Sequence, residues 1–208
     1  MTDHYHHGDL RRAVLDRALE VIAAQGAEAL NLRAIAADLG VTHTAPRHHF
    51  GNRQGVLTAI ATEGFTELAR RLRAPEAEGQ PFLEAGVAYV EFALARPAHF
   101  QVMFQPTLLD DDDEALAEAE DAAFAVIRDG VAELERAGAV EDAAAAVIAG
   151  WGLMHGVASL ALSGSLDKAR VRDLIAGGDI VGIARRSGGM LYGSPSTNRR
   201  AERGDTDD

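Results

Sequence analysis

Cysteine is absent from this chain of 208 residues, and lysine occurs once, at Lys168. Without cysteine the chain has no disulfide, no thiolate metal site and no cysteine nucleophile. No run of about 18 uninterrupted apolar residues occurs, and the N-terminus lacks the basic-then-apolar order of a secretory signal. We therefore expect a cytoplasmic protein with no membrane segment, no metal site and no cofactor.

Aromatic residues are also few, at 5 % of the chain, whereas the apolar fraction of 47 % is rich in alanine. Alanine favours helix over sheet by intrinsic propensity. The predicted fold class is therefore all-α. Apolar residues recur at helical spacing over residues 10–25, 32–39, 43–50, 52–73, 81–95, 98–104, 114–137, 141–163 and 167–191.

The net charge of −12 is unevenly distributed. In residues 1–60 six arginines balance six acidic residues, so the whole excess of −12 lies in residues 61–208. Six of the eight histidines also lie in the first segment. Because binding to nucleic acid depends on cations that neutralise phosphate, this distribution predicts a DNA-facing head on an acidic body.

Three regions follow from these patterns. We expect a DNA-facing head over residues 1–60, a helical body over residues 61–192, and a disordered tail over residues 193–208. The helix over 52–73 connects the head to the body, and residues 74–80, rich in Pro, Glu and Gly, are typical of a linker.

The head contains two short helices joined by a turn with a glycine. Asn31 is a plausible N-cap for the first helix, which Gly40 ends, and Thr42 is a plausible N-cap for the second. Pro46 then lies near the first turn, where proline is tolerated. Two such helices indicate a helix-turn-helix, whose second helix enters the major groove of DNA.

The order of residues from Leu10 to Phe65 resembles the DNA-binding domain of the TetR family. The matching motifs are Asn-Leu-Arg-Ala-Ile-Ala-Ala-Asp-Leu-Gly-Val-Thr from residue 31, Arg-His-His-Phe from residue 47 and Asn-Arg-Gln-Gly-Val-Leu from residue 52. Tyr-His-His-Gly-Asp-Leu-Arg at residues 5–11 resembles the opening of one subgroup. Trp-Gly-Leu-Met-His-Gly at residues 151–156 resembles the Trp-His-Gly signature of the C-terminal domain type that accompanies it.

The resemblance implies a homodimer that binds a palindromic operator in double-stranded DNA. Arg47 occupies a position where the family commonly has a phosphate-contacting tyrosine, and arginine can contact either phosphate or guanine. A metal pair at His48 and His49 is disfavoured, since adjacent helical residues point about 100° apart. We expect Phe50 to anchor the second helix in the core. The residues expected at DNA are Arg33, Thr42, His43, Thr44, Arg47, His48, His49 and Arg53.

The resemblance implies a helix-turn-helix DNA-binding domain over residues 1–60 and a helical effector-binding and dimerisation domain over residues 61–192. In this second domain it implies a small-molecule effector, largely apolar, that releases a repressor from DNA. Its expected pocket residues are Tyr89, Phe92, Phe100, Met103, Phe104, Phe124, Trp151, Met154 and His155. A stripe of small residues that lets two helices approach closely is expected at the dimer interface, formed by Ala149, Gly152, Gly156, Ser159 and Ser163.

Two other classes of function remain open. A DNA-binding regulator without a ligand would share every feature of the head and would differ only in having a body whose interior is filled by side chains, with no ligand cavity. A helical small-molecule-binding protein or an enzyme would use His155 as acid or base, but no nucleophile or carboxylate pair accompanies it at informative spacing, and the helix-turn-helix would be unexplained.

Overall fold

A computed structural model describes residues 7–73, 81–173, 175 and 179–192. These residues form helices and connecting turns without a β-strand, which confirms the all-α prediction. The expected linker at 74–80 and the expected disordered tail from residue 193 lie outside the described residues. The helices are α1 (His7–Gln25), α2 (Leu32–Asp38), α3 (Ala45–Phe50), α4 (Arg53–Arg73), α5 (Pro81–Ala95), α6 (Pro97–Met103), α7 (Glu114–Arg136), α8 (Ala143–Leu162), α9 (Ala169–Arg172) and α10 (Ile180–Tyr192).

The chain divides into two compact units. The head unit comprises Met1–Arg70 and Ala95–Phe124, and the body unit comprises Arg71–Leu94 and Ala125–Asp208. The head unit thus contains α6 and the beginning of α7 in addition to the helices of the predicted helix-turn-helix.

In the head unit, α1 packs against α2, α3 and α6. Two hydrogen bonds also fix the segment after α6 to α4: Gln54 donates to the carbonyl of Leu109 over 2.7 Å, and Thr58 Oγ1 accepts from the amide of Asp110 over 3.0 Å. The core that holds these helices is aliphatic and is formed by Val14, Leu15, Ala18, Ile22, Ile35, Ala36, Val56, Leu57 and Ile60.

In the body unit, α8 packs against α10. Arg185 of α10 forms a bidentate pair with Glu84 of α5, in which Nε donates over 2.9 Å and Nη2 over 2.6 Å. This ion pair lowers the pKa of Glu84. Most of the fully or nearly fully buried side chains here are apolar, and they include Val87, Val90, Phe92, Ala93, Val131, Met154, Ala158 and Ala184.

Two predicted helices differ from the structure. The helix expected over 167–191 is interrupted: a 3-10 turn at Ser165–Asp167 precedes the short α9, and α10 begins at Ile180. A Gly-Gly pair at 177–178 disfavours helix, and Asp179 Oδ1 caps α10 by accepting from the amide of Gly182 over 2.8 Å.

The second short helix of the head begins at Ala45 rather than after Thr42. Proline lacks an N–H and suits the first turn, so Pro46 fixes the later start.

Candidate DNA-binding surface and ligand cavity

The two short helices of the head are joined in the arrangement expected for a helix-turn-helix. Asn31 caps α2, since its Oδ1 accepts from the amides of Arg33 over 2.9 Å and Ala34 over 3.4 Å. After α2 the chain turns through Gly40, whose φ of 67° is in the left-handed region that favours glycine. Helix α3 then contacts both α1 and α2, so its inner side is held by the core of the head unit.

The turn before α3 and the outer side of α3 are exposed. Thr42, His43 and Thr44 lie in the turn, and Arg47 and His48 lie on the helix. The hydroxyls of Thr42 and Thr44 are 3.2 Å apart. Neither a hydrogen bond nor an ion pair within the described part of the chain holds the guanidinium group of Arg47. These predicted residues therefore form an exposed polar surface, and the positive charge of Arg47 on it is not used in an ion pair with the described residues.

Two of the other predicted DNA contacts, Arg53 and His49, have side chains that interact within the fold. Arg53 Nη2 donates to the carbonyl of Ala27 over 2.8 Å and lies 3.4 Å from Glu28 Oε2, so this side chain ties α4 to the turn after α1. His49 is half-buried, with its ring centroid 6.3 Å from that of Phe50. Arg33 is exposed on α2.

Phe50 lies at the end of α3 and is half-buried, with the guanidinium carbon of Arg11 at 5.3 Å from its ring centroid. This contact joins α1 to the end of the recognition helix. The corner between α3 and α4 is equally tight, because a Cβ atom at Gly55 would collide with the carbonyl oxygen of Phe50. The position of α3 therefore depends on a glycine two residues into α4.

A charged cluster joins three helices of the head unit. Glu63 of α4 accepts from Arg12 Nη1 of α1 over 3.0 Å, and its other carboxylate oxygen lies 3.8 Å from His99 Nε2 of α6. The interactions with His99 and Arg12 lower the pKa of Glu63 despite its partial burial. The cluster fixes α1 and α6 against the long helix α4.

The body unit contains a small apolar cavity of about 40 Å³. Tyr89 contributes the one hydroxyl among its lining side chains, and the surface is otherwise hydrocarbon, indole and thioether. On α5 four of the lining residues, Phe82, Ala85, Gly86 and Tyr89, follow the spacing i, i+3, i+4 and i+7 and form one face of that helix, and Leu83 lies beside them. The cavity is lined by Leu72, Phe82, Leu83, Ala85, Gly86, Tyr89, Ile127, Gly150, Trp151 and Met154.

A chain of hydrogen bonds lies at the polar end of this cavity. Trp151 Nε1 donates to the hydroxyl oxygen of Tyr89 over 3.4 Å, and that hydroxyl lies 2.8 Å from His155 Nδ1. Burial raises the pKa of Tyr89 and lowers the pKa of His155. Both groups are therefore neutral near pH 7, and the tautomer of the imidazole ring decides whether the phenol or Nδ1 donates the hydrogen bond.

A wider cleft of about 320 Å³ adjoins the cavity. The two spaces share Leu72, Phe82 and Ala85. Three charged side chains distinguish the cleft from the cavity. Among the described residues, its lining comprises Leu72, Arg73, Phe82, Ala85, Ala125, Val126, Asp129, Gly130 and Glu133.

The structure brings together only some of the residues expected in a ligand pocket. Tyr89, Trp151 and Met154 line the cavity, and His155 is bonded to Tyr89. Phe92 is fully buried beneath the guanidinium group of Arg71, 5.8 Å from its ring centroid.

The remaining four expected pocket residues lie in the head unit. Phe100 and Phe104 form an aromatic cluster with Phe65, with ring centroids 5.0 Å and 5.7 Å apart. Met103 is buried on α6, and Phe124 is 43 % exposed on α7. Sequence reasoning overlooked Phe82, Leu83 and Ile127. The spacing of Phe82 to Tyr89 on one face of α5 was the signal that could have identified Phe82.

The outer surface of α8 and α10 carries exposed apolar side chains. Ile148 is 63 % exposed and Met190 is 87 % exposed. Among the described residues α8 is the one helix that is long and apolar enough to cross a membrane by length and composition alone. Only 17 % of its apolar stretch is buried, so most of that stretch lies on the surface of the single chain. In the predicted small-residue stripe, Ala149, Gly152 and Ser163 are exposed and Gly156 and Ser159 are half-buried.

Comparison with known proteins gives family matches over both units. Residues 14–60 match the model of bacterial regulatory proteins of the tetR family, and residues 82–176 match a tetracyclin repressor-like C-terminal domain. No curated protein matches the chain.

Solved structures are similar over nearly the whole chain. A protein with unknown function from Rhodococcus sp. RHA1 is 32 % identical, with a TM-score of 0.72 over 93 % of this chain and 100 % of its own. A regulatory protein in the tetR family from Rhodococcus RHA1 is 22 % identical, with a TM-score of 0.68 over 88 % of this chain and 94 % of its own. FadR from Bacillus subtilis, in complex with stearoyl-CoA, is 15 % identical, with a TM-score of 0.64 over 88 % of this chain and 97 % of its own. With its helix-turn-helix and both family matches, this chain belongs to the TetR family of DNA-binding transcriptional regulators.

Proposed function

We propose that the protein is a cytoplasmic, homodimeric repressor that binds a palindromic operator through α3 and is released from it by a small molecule bound in the body unit. The observation that carries the DNA-binding part is the exposed surface before and along α3, with Arg47 uncommitted to any partner in the described fold. Because the guanidinium group of Arg47 has no ion pair among the described residues and lies on a helix-turn-helix, it is available to bind DNA.

Arg47 is the residue that we expect to read sequence. Its planar guanidinium group can donate two hydrogen bonds to guanine O6 and N7, which is the commonest specific contact in the major groove. Thr42, His43 and Thr44 lie beside it in the turn and supply further contacts to bases or phosphates. Arg33 and His48 are exposed and positioned for the backbone, whereas Arg53 and His49 act chiefly within the fold.

Dimerisation is supported by the apolar surface of α8 and α10. Exposed side chains such as Ile148 and Met190 cost free energy in water unless a partner covers them. Gly152 and Gly156 leave open space beyond their Cα atoms, so another helix can approach closely there. A twofold dimer would present two α3 helices to successive major grooves about 34 Å apart.

Release by an effector is supported by the cavity around Tyr89, Trp151 and Met154. FadR from Bacillus subtilis, which has a related fold, was solved in complex with stearoyl-CoA, and this supports a small-molecule effector for the present protein. An effector weakens operator binding only by its differential affinity for dimers with matched and mismatched spacing of the recognition helices. The small volume of the cavity, about 40 Å³, favours the alternative of a ligand-independent regulator.

Fluorescence anisotropy with palindromic DNA from the region beside the gene tests the proposal. Wild type, Arg47→Ala and Arg47→Lys are titrated across a salt series, with Arg136→Ala, an exposed arginine of α7, as the matched control. We expect tight, salt-dependent and sequence-specific binding by wild type and by the control, and a loss in Arg47→Ala. Equal binding by wild type and Arg47→Ala would remove Arg47 from the interface. Thermal shift with candidate ligands separates the effector-controlled regulator from the ligand-independent one, since binding to the native state raises the melting temperature.

A further inference from the structure

Phe82 separates the apolar cavity from the charged cleft. It lines both spaces, and Leu72 and Ala85 are the two other residues that do so. The Phe82 ring lies directly against the backbone of Gly130 on α7, where a Cβ atom would collide with it. The ring therefore occupies a slot that exists because residue 130 has no side chain.

The Phe82 side chain lies between the two spaces, and a change in its conformation would open one to the other. The ring is half-buried and is the second residue of α5, in the first turn, where helices are least constrained. A change of its rotamer would connect the cavity of about 40 Å³ with the cleft of about 320 Å³. The cavity alone is too small for most ligands, whereas the connected space has the size of a small-molecule site.

The two ends of this space differ in chemistry. The inner end, around Leu83, Ile127 and Met154, has no charged residue among the described residues that line it, so a charged group buried there would lack a partner from them. The outer end has Arg73, Asp129 and Glu133. Arg128 lies 3.3 Å from Asp129, and Arg136 lies 4.0 Å from Glu133.

Because both signs of charge meet at this mouth, a ligand head with a net charge gains little there. We propose that cavity and cleft form one ligand site gated by Phe82, and that it takes a single-chain amphiphile with a polar, uncharged head. This inference rests on the proposed effector function and specifies the ligand. The apolar chain extends through the space that the Phe82 ring vacates and ends in the inner cavity, and the head stays at the mouth, where guanidinium groups donate and carboxylates accept hydrogen bonds.

Trp151 is the single tryptophan of the chain and lines the inner cavity, so its fluorescence reports occupancy of the site directly. Full-length protein is titrated with octanol, decanol, decanoate and decylamine below their aggregation concentrations. We expect decanol to bind more tightly than octanol by about fifteenfold, as burial of two methylenes requires. We also expect decanol to bind at least about tenfold more tightly than decanoate or decylamine, because a charged head loses hydration at a mouth whose carboxylates already lie beside arginines. Tighter binding of either ion, or no dependence on chain length, overturns the ligand class.

Two variants test the gate by different chemistry. Phe82→Ala removes the partition, and Gly130→Ala fills its slot so that the ring must move. If the open form is about one tenth of the population, each variant raises the affinity for decanol by up to about tenfold. Phe124→Ala, an exposed phenylalanine of α7 outside both spaces, is the control and should bind like wild type. Unchanged affinity in both Phe82→Ala and Gly130→Ala, with melting temperatures showing folded protein, overturns the gate.

The same protein also distinguishes this inference from the proposed function. Operator binding is measured by anisotropy with and without decanol. If decanol quenches Trp151 but leaves operator binding unchanged, the ligand site stands and the effector role fails. If the operator is bound but none of the four probes affects Trp151 fluorescence, the ligand class fails while DNA binding stands.

Discussion

Truncation of Ile148 should dissociate the proposed dimer. This residue lies on α8 and is 63 % exposed in the single chain, so most of its side chain remains available for burial by a partner. Full burial of an isoleucine side chain is worth about 1.5 to 3 kcal/mol, and the exposed part therefore about 1 to 2 kcal/mol. A twofold interface contains the residue twice, which doubles the effect to about 2 to 4 kcal/mol.

Sedimentation velocity over a range of protein concentrations measures this effect. Ile148→Ala should raise the dimer dissociation constant by about 30- to 900-fold. The fold of the protomer should be little affected, because the side chain has few neighbours to lose. Leu94→Ala is the control, since Leu94 is an exposed aliphatic residue on α5 at 37 % exposure. A wild type that is monomeric at all concentrations, or an Ile148→Ala dimer as tight as wild type, would refute the assignment of this face.

Three further changes test the head and the cavity. Gly55→Ala should lower operator affinity at least about tenfold, because its Cβ collides with the Phe50 carbonyl and moves α3; unaltered anisotropy titrations would contradict this. Asn31→Ala removes the α2 cap and should cost about 1 kcal/mol, which thermal denaturation would show as a fall of about 2 to 4 °C. Burial lowers the pKa of His155, so stability from the neutral ring is complete above the unfolded pKa of about 6.5 and is lost as the pH falls below it. His155→Asn keeps a hydrogen-bonding group beside Tyr89 without titrating, so its melting temperature should fall less than that of wild type between pH 7 and pH 5; parallel curves would exclude this contribution.

Local signals made most of the helices predictable. Pro81 at the start of α5 and the acidic residues before Glu114 at the start of α7 are signals that the chain carries within a few residues of the boundary, and both helices begin where expected. Asn31 caps α2 as its side-chain chemistry requires. The Thr42 boundary was wrong because α3 begins at Ala45, which places Pro46 in the first turn, where proline is tolerated.

The residues that line the cavity were predicted only in part, since aromatic composition says nothing about which unit a residue joins. Phe100, Met103 and Phe104 have the same chemistry as Tyr89 and Trp151, yet α6 belongs to the head unit. No local pattern distinguishes the two groups, because the contacts that separate them join residues far apart in the chain. Phe82 was overlooked because its role comes from Gly130, which is distant in sequence and close in space.

The sequence by itself determined the helical class, the helix-turn-helix and the family, because these depend on short-range periodicity, capping and motif order. Tertiary structure decided which predicted cation is exposed and which is held. Arg47 and Arg53 look alike in sequence, but Arg53 reaches the carbonyl of Ala27 while the guanidinium group of Arg47 remains exposed. It also decided which apolar residues enclose a cavity and which, like Ile148, stay on the surface. These outcomes depend on packing between distant segments, which a single sequence does not encode in any local pattern.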